Sequence, residues 1–365
     1  MASTDGLTAR FPGAATFLRR WWAELVTVHP HRGQHWGAAQ VGLSVAVPLV
    51  LVVALGQVEL SAYAAFGALS SVYGSRLGRR DRLRAQASVG AALTLAVVLG
   101  VVVASAPGTA PSSVLACALV SGLGVLITRT LGHLPVPSLF LVLATGTVSA
   151  APHTWGDLPV AAAVAALAAS FGLLVGRASL GLHRSLVPAP PPPALTLRTA
   201  LAAPGARLEL GYYLLSPALA GSLAHLLAFG HPYWAAVASL VPLAGRDLAA
   251  QLGRATLRFA GTVAGLGVGF LLIRPDPSVA VLLVAIAVLQ VLTELFVTRN
   301  YGIAVVFITP MTLALGHLAS PTPAAALVAD RLVQTCLGVA VAAVVLVVAR
   351  AVRPPQAGPQ PGRPA

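Results

Sequence analysis

The sequence predicts an all-α polytopic membrane protein of about twelve transmembrane helices, arranged as two parallel six-helix repeats. Its composition supports this class, because 57% of the residues are hydrophobic and 9% are charged, and the mean hydropathy is +0.85. That much apolar surface cannot be buried in one soluble core, so lipid must be part of the solvent. The second support is a series of separate hydrophobic stretches, since a spanning helix needs roughly 20 apolar residues.

The hydrophobic stretches fall into two sets of six. The first set covers residues 37–56, 58–75, 86–105, 112–128, 134–151 and 158–176, and the second covers 210–229, 231–245, 255–273, 278–296, 301–318 and 327–349. The second and eighth stretches are short for a membrane span. Whether these two helices cross the membrane fully therefore stays open.

The expected domains follow these two sets. Residues 1–35 form a cytoplasmic N-terminal segment with an interfacial helix, whose apolar side chains recur at helical spacing at Phe17, Leu18, Trp21, Trp22 and Leu25. The other units are a first six-span repeat at 36–183, a proline-rich cytoplasmic linker at 184–207, a second repeat at 208–352 and a tail at 353–365. Five prolines between residues 188 and 193 favour an extended spacer. The tail, rich in Pro, Gly and Gln, is expected to be disordered.

Arginine distribution predicts the orientation in the membrane. All 23 basic residues are arginine, and with a cytoplasmic N-terminus the loops on the inner side carry most of them. The outer loops then hold Arg274, whereas the outer loop 106–113 has no arginine. This asymmetry indicates a multi-pass protein of a bacterial-type inner (cell) membrane with both termini in the cytoplasm. The net charge of +13 therefore indicates contact with anionic lipid rather than with nucleic acid.

Residue matches in a constant order relate the two sets of stretches. Pro48 matches Pro217, and the further matches pair Gly42 with Gly211, Tyr63 with Trp234, Arg129 with Arg299, Asp157 with Asp330, and Arg177 with Arg350. Each set holds an even number of spans, so the two halves enter the membrane in the same orientation. We expect them to superpose about a pseudo-two-fold axis along the membrane normal.

Motifs for enzyme chemistry are missing from the sequence. It contains no GxxxxGK[ST] phosphate loop, no HExxH zinc motif and no GxSxG nucleophile elbow. Cys117 and Cys336 each lie inside an apolar stretch, where they are expected to be small core residues. We therefore expect no enzyme activity, no metal and no cofactor, and energy must come from ion gradients or from the substrate's own gradient.

One group of candidate functional residues surrounds the eighth and ninth stretches. It contains Tyr233 and Trp234, then Arg246, and then Arg254 and Arg258 ahead of a Gly-Thr-x-x-Gly run at 261–265. The last two arginines are four residues apart and share one helix face. Glycines four apart let a helix approach its neighbour closely. Two interpretations stay open, namely a helix anchored by basic residues and an anion pathway.

A second candidate group lies in the last stretch. Asp330 and Arg331 are followed by Gln334, and counting back about 20 residues from Arg350 places them at the outer edge of the hydrocarbon. Ionisable residues at this depth either snorkel to the surface or form part of an ion path. In the first half Leu158 stands where the second half has Arg331.

Four segments of the second half resemble the fusaric acid resistance family. They are Tyr233-Trp234-Ala235, the run from Arg258 to Gly265, Asn300-Tyr301 ahead of Thr309-Pro310, and Arg331 followed by Gly338. The resemblance is clearest over 207–351, and the repeat extends it to 36–178. It implies an integral membrane transporter of aromatic and other organic acids, distantly similar to plant malate channels. Many members carry large cytoplasmic domains after each half, where this chain has a short linker and a tail.

The resemblance and the arginines together predict efflux or permeation of organic, and in particular aromatic, carboxylate anions. The anions would pass between the two halves. Arginines at an inner mouth would collect them, Arg331 would meet them near the exit, and Tyr233 and Trp234 would stack on a ring or belong to an interfacial belt. The arginines of the inner mouth are Arg76, Arg246, Arg254 and Arg258.

Two other functions remain open. One is a passive anion channel. The other is a non-transporting membrane scaffold or envelope-assembly protein, favoured by the lack of acidic residues deep in any span. Glu294 and Asp247 lie near the inner boundary, with Arg299 and Arg246 as expected partners. Substrate identity, transport direction, energy coupling and assembly into a homo-oligomer are not determined by the sequence.

The predicted topology can be tested with a reporter enzyme that is active only outside the cytoplasm. Fused after Pro193, in the linker, it should give no activity, because the arginine asymmetry places this segment inside. The same reporter inserted in the outer loop 106–113 should be active. A strong signal from the linker fusion would overturn the orientation.

Overall fold

The computed structural model describes residues 14–30, 34–75, 77–106, 109–133, 135–178, 194–319 and 322–352. These residues are 84% helical and include no β-strand. The predicted all-α class is confirmed. The proline-rich run 188–193, the tail 353–365 and Arg76 lie outside the described residues.

Fourteen α-helices are present in the described parts of the chain. In order they are α1 (Ala14–Val26), α2 (Gln34–Ala54), α3 (Ser61–Ala68), α4 (Arg79–Ser105), α5 (Thr109–Leu131), α6 (Ser138–Ser149), α7 (Leu158–Ala178), α8 (Leu197–Ala202), α9 (Ala206–Leu226), α10 (Pro232–Leu243), α11 (Leu248–Ile273), α12 (Val279–Val297), α13 (Tyr301–Ala319) and α14 (Ala324–Val352). Short 3-10 turns flank α3 at Val58–Leu60 and Leu69–Val72, and another precedes α7 at Trp155–Asp157.

Eight of these helices are long and apolar enough to cross a membrane, namely α2, α4, α5, α7, α11, α12, α13 and α14. The twelve spans expected from the sequence are therefore not confirmed. Three of the predicted stretches contain shorter apolar helices, at Val58–Val72, Ser138–Ser149 and Pro232–Leu243. The first and third were expected to be weak spans, whereas the shortness of α6 was not expected. Helix α9 has 21 residues but is not among the eight.

A glycine turn follows α3, and a proline begins α10. After α3 and its 3-10 turn the chain reverses at Gly74, which has φ +75°, a conformation that costs a glycine little. A Cβ at this position would lie 2.9 Å from the Arg82 Cα, so the turn packs directly on α4. Pro232 occupies the first turn of α10, where its missing N–H would be unpaired in any case.

The outward faces of the long helices are apolar. Only 28% of the Val279–Val297 window is buried inside the protein, although its mean hydropathy is 2.5. Its exposed valines, Val281, Val284 and Val288, are spaced to lie on one helix face. Such a face is stable against lipid tails rather than water, so contact with the bilayer follows from the fold.

The inner end of the bundle is the end at which α4 and α11 begin, and the outer end is the end at which α14 begins. Helix α1 packs against the inner end of α11, with Trp21 and Glu24 over Gly253. The Asn300 amide donates hydrogen bonds to the carbonyl oxygens of Leu25 (3.1 Å) and Thr27 (3.2 Å). The N-terminal helix is therefore attached to the inner ends of α11 and α13.

Corresponding helices make corresponding contacts in the two halves. Within the first half α4 packs on α6 and α7, α3 packs on α7, and α5 packs on α6. In the second half α11 packs on α13 and α14, α10 packs on α14, and α12 packs on α13. The contacts between halves match as well, because α2 packs on α12 and α9 packs on α5.

An ion pair joins the two halves at the inner end. The Arg129 Nε, in the last turn of α5, donates to Glu209 Oε2 in the first turn of α9 at 2.6 Å. Deeper in the same interface the Ser121 hydroxyl donates to the Tyr213 carbonyl at 2.6 Å. The two halves therefore form one continuous helical bundle.

Candidate functional site

Two buried arginines approach each other inside the second half. Arg258 of α11 is 2% exposed and Arg331 of α14 is 1% exposed. The two helices pack directly, and α10 contacts both. The Arg331 Cζ lies 4.8 Å from the ring centre of Trp234 on α10, and Arg258 is within electrostatic range of Arg331.

Both guanidinium groups keep N–H groups without a hydrogen-bond partner. Among the described residues, nothing accepts from Nε and Nη2 of Arg258 or from Nε and Nη1 of Arg331. No carboxylate in the described ranges lies within 4.0 Å of either group. A buried charge without a partner is costly, and each unpaired donor adds to the cost. The pair therefore forms a site where an anion would be strongly stabilised.

Hydroxyl groups with no partner among the described residues lie on α11, which holds Arg258, and on the neighbouring helix α13. Thr262 follows Arg258 by one turn, and Thr309 and Tyr301 lie on α13. Thr309 contacts α11 closely, because a Cβ on Gly265 would lie 2.8 Å from the Thr309 Cβ. The glycines of the Gly-Thr-x-x-Gly run thus bring α13 against α11, as expected of a packing seam.

A polar network occupies the outer end of α10 and α14. Asp330 accepts hydrogen bonds on both oxygens, from His231 Nδ1 at 2.5 Å and from Gln334 Nε2 at 2.7 Å. The imidazole of His231 stacks on the indole of Trp234, with ring centres 4.3 Å apart and planes at 16°. Asp330 is therefore held by His231 and Gln334 and makes no ion pair within 4.0 Å with Arg331, its neighbour in the chain.

The structure brings together four of the seven candidate site residues: Arg258, Arg331, Trp234 and Tyr233. Arg254 lies one turn closer to the inner end and is half-buried, with its Cζ 5.7 Å from the Tyr301 ring centre. Arg246 is exposed in the loop between α10 and α11, and Arg76 lies outside the described residues.

Tyr233 packs against a neighbouring helix of the first half, at Gly146 of α6. The indole of Trp234 already stacks with His231 and Arg331. Neither ring is arranged as an open platform for an aromatic substrate. The structure therefore points to recognition of the anionic group rather than of a ring.

The arginine pair lies deeper than the inner mouth expected for Arg258. At 1.5 Å per residue, Arg258 is about 15 Å along α11 from its first residue, and Arg331 is about 10 Å along α14 from the outer end. The surrounding helices α10, α11, α13 and α14 all belong to the second half, so the pair does not lie between the halves. The matching positions of the first half hold Ala87 and Leu158.

Sequence reasoning missed several polar residues of the interior. Arg82, in the first turn of α4, is 2% exposed, and its Nη2 donates to Gln40 on α2. The expected pair of Glu294 with Arg299 does not form. Arg299 instead donates to the His29 carbonyl at 3.1 Å, and Glu294 accepts from Gln290 at 3.3 Å.

Asp247 also has a different partner from the one expected. Its Oδ1 caps α11 by accepting from the Ala250 N–H at 3.0 Å, and its Oδ2 lies 3.9 Å from Arg20 of α1. Arg246 precedes it in the chain without pairing with it in the described structure. The cap fixes the start of the helix that carries Arg258.

Taken together, the helices and the buried arginine pair define an all-helical, multi-pass membrane protein with an anion-compatible interior. Residues 219–345 match the family model described as fusaric acid resistance protein-like. The predicted resemblance is confirmed for this segment, which holds Trp234, Arg258 and Arg331. With the eight apolar helices, the match indicates a membrane transporter. No curated protein and no solved structure matches the chain.

Replacing Arg331 by methionine should stabilise the protein. Methionine fills a similar volume without an unpaired buried charge, and such replacements are neutral or stabilising by about 1–4 kcal/mol. We expect a higher apparent Tm in detergent for Arg331→Met. Arg129→Met is the matched control and should lower the Tm, because Glu209 would lose its partner. A clear loss of stability in Arg331→Met would mean that Arg331 has a structural role.

Proposed function

We propose that this protein transports organic carboxylate anions across the membrane, with Arg258 and Arg331 as the anion-binding residues. The observation that carries the proposal is the pair of buried guanidinium groups whose N–H donors have no partner among the described residues. A carboxylate loses its hydration when it enters a low-dielectric path. Guanidinium groups replace the lost water with charge-assisted, often bidentate, hydrogen bonds.

The other candidate arginines would act before the pair. Arg254 lies between the inner end and Arg258, and Arg246 is exposed at the inner end itself. Together with Arg76 they would raise the local concentration of anions at the entrance by long-range attraction. Because exposed charges are screened by salt, their contribution should fall at high ionic strength, whereas that of Arg258 should persist.

The substrate class follows from the site and from the family description. Fusaric acid, which the description names, is an aromatic carboxylic acid, so aromatic carboxylates are the first substrates to test. The packing of Tyr233 and Trp234 supports recognition of the carboxylate itself. Aliphatic carboxylates of similar size are therefore proposed as substrates too.

We also propose the orientation expected from the arginine asymmetry. The inner end would face the cytoplasm of a bacterial-type cell, and both termini would lie on that side. The unpaired arginine pair favours transport over a scaffold role, because a scaffold gains nothing from an unpaired buried charge. A passive channel differs from a carrier in showing no acceleration of efflux by substrate on the opposite side.

Arg258 provides the direct test of the anion site. One charge-assisted hydrogen bond contributes about 1.5–3 kcal/mol, so Arg258→Ala should weaken carboxylate binding by roughly ten- to a hundredfold. Arg258→Lys keeps the charge but loses the fork of donors, and should restore binding only in part. The measurement is uptake of radiolabelled benzoate and succinate into proteoliposomes, with counterflow to separate a carrier from a channel.

The matched control for this test is Arg84→Ala. The Arg84 side chain is 79% exposed and pairs with Asp81 on its own helix, so this variant should transport like the parent. If folded Arg258→Ala carries every carboxylate at the parental rate, Arg258 is not part of an anion pathway.

We further propose that residues 36–183 and 208–352 are two six-helix repeats. The matched helix contacts support this, and so does the close approach of the short helix to the last helix in each half. In the first half Gly67 of α3 contacts Ala165 of α7. In the second half Ala238 of α10 contacts Gly338 of α14. The glycine of this contact lies on the short helix in the first half and on the last helix in the second half, and the contact itself occurs in both halves.

A reciprocal exchange of residues tests the repeat. Gly338→Ala alone should destabilise the protein by about 1–3 kcal/mol, because the added methyl group enters a packed contact. The double variant Ala238→Gly with Gly338→Ala recreates the arrangement of the first half and should recover about half of that loss. Thermal unfolding in detergent measures both. Gly316→Ala, where a Cβ has no atom within 4 Å, is the control. A double variant less stable than Gly338→Ala would count against the repeat.

A further inference from the structure

We propose that His231 and Asp330 form a proton-binding site at the outer end of the anion site, so that the protein binds a proton and an anion cooperatively. The inference rests on the proposed binding of anions by Arg331. It adds a second bound species, the proton, and gives the sign of its coupling to the anion.

The first support is the way in which Asp330 is held. Its Oδ2 accepts from His231 Nδ1 at 2.5 Å and its Oδ1 accepts from Gln334 Nε2 at 2.7 Å. The Gln334 Oε1 in turn accepts from the Ala235 N–H at 3.3 Å, which fixes the amide in one orientation. Since both oxygens are engaged in this way, the carboxylate is bound to the imidazole and does not pair with Arg331.

The second support is the continuous stack from the imidazole to the guanidinium group. His231 lies against the Trp234 indole with ring centres 4.3 Å apart, and Arg331 Cζ lies 4.8 Å from the same indole. His231 is therefore separated from Arg331 by a single side chain. A change of one unit charge at that distance acts strongly on an anion bound in a partly desolvated site.

The sign of the coupling follows from the charges. With neutral His231 the His–Asp pair carries one negative charge, which opposes an anion at Arg331. When His231 is protonated the pair is neutral, and the anion experiences the full positive charge of Arg258 and Arg331. Proton binding therefore strengthens anion binding, and by linkage a bound anion strengthens proton binding by the same factor.

The remaining ionisable groups around the pair do not change this sign. Arg258 of α11 and Tyr301 of α13 are within electrostatic range of Arg331. Tyr233 of α10 contacts the His231 ring edge-on, with ring centres 6.0 Å apart, and a phenol carries no charge between pH 5.5 and 8.5. The neighbouring helix α6 has no ionisable side chain of its own. Cys117, the thiol of α5, is buried within the first half. On α9, His225 at the outer end is exposed.

Another carboxylate at the outer end is already paired. Asp276, which follows α11, lies 3.7 Å from His317. Within the described residues, Asp330 is therefore the carboxylate that faces His231.

The first half contains the same arrangement without the arginine. Asp157 lies 3.9 Å from His153, and the Tyr63 hydroxyl is 3.1 Å from the same imidazole. Tyr63 and Asp157 are the residues that match Trp234 and Asp330 in the sequence, but Leu158 takes the place of Arg331. His153 is thus a matched control, a histidine paired with aspartate that has no buried arginine beside it.

The experiment measures benzoate affinity of the full chain in nanodiscs between pH 5.5 and 8.5, where benzoate itself stays ionised. In the parent protein, affinity should rise about tenfold from the alkaline to the acid end. His231→Gln should bind with little dependence on pH, at the weaker affinity of the alkaline parent. His153→Gln should behave like the parent. Asp330→Asn, which removes the opposing charge, should bind at pH 8.5 at least as tightly as the parent.

A second readout requires no anion. A protonated imidazole quenches the emission of a stacked indole, so the difference in fluorescence between the parent and Trp234→Phe should fall as His231 takes up a proton. Benzoate should move the midpoint of this titration to higher pH. His231→Gln should abolish the titration, and His153→Gln should leave it unchanged.

The outcomes separate the two proposals. If Trp234 emission titrates through His231 but benzoate binds at no pH, the anion site is wrong and the proton site stands. If benzoate binds to the parent with no dependence on pH, or if folded His231→Gln keeps the full pH dependence, the proton coupling is wrong. If Trp234 emission does not titrate, His231 does not take up a proton in this range, and the proposal fails.

Discussion

The low dielectric of the membrane interior is the constraint on which the rest of this structure depends. Backbone groups cannot find water there, so the chain satisfies them within helices, and the exposed valines of α12 can face lipid without cost. The same environment makes an unpaired charge expensive. Arg258 and Arg331 therefore stand out as the positions where the fold departs from what stability alone would favour.

The helices around the arginine pair show how such a departure is maintained. Gly261 and Gly265 hold α13 against α11, with Thr309 at the contact, and Asp247 caps the start of α11. Asp330 could have neutralised Arg331, but the network with His231 and Gln334 holds it elsewhere. The packing thus keeps two buried guanidinium groups within electrostatic range of each other, with N–H donors that have no partner among the described residues.

The two halves of the chain are more alike in their helix contacts than in their buried polar residues. Helix contacts and the position of Asp157 relative to Asp330 correspond, yet Leu158 replaces Arg331 in the first half. The first half packs against the second through the α5–α9 and α2–α12 contacts.

Much of the architecture was predictable from the sequence. Hydrophobic stretches located the helices, because burial in lipid requires a run of apolar residues that can be read directly. The number of long helices was less predictable, because the apolar stretches that contain α6 and α10 are longer than the helices themselves. Pro137 precedes the first residue of α6, and Pro232 is the first residue of α10. The resemblance at residues 258–265, 300–310 and 331–338 was also visible, and the family match at 219–345 confirms it.

Side-chain partners were the part that the sequence did not reveal. Closeness in the sequence suggested that Glu294 pairs with Arg299 and that Asp247 pairs with Arg246, but neither pair forms among the described residues. Arg258 was expected at the inner mouth and is instead buried. Such contacts depend on which faces of distant helices meet. The sequence by itself determined a helical membrane protein whose candidate functional residues lie mostly in its second half. Only the tertiary structure brought Arg258, Arg331 and Trp234 together, because each comes from a different helix and their meeting depends on how α10, α11 and α14 pack.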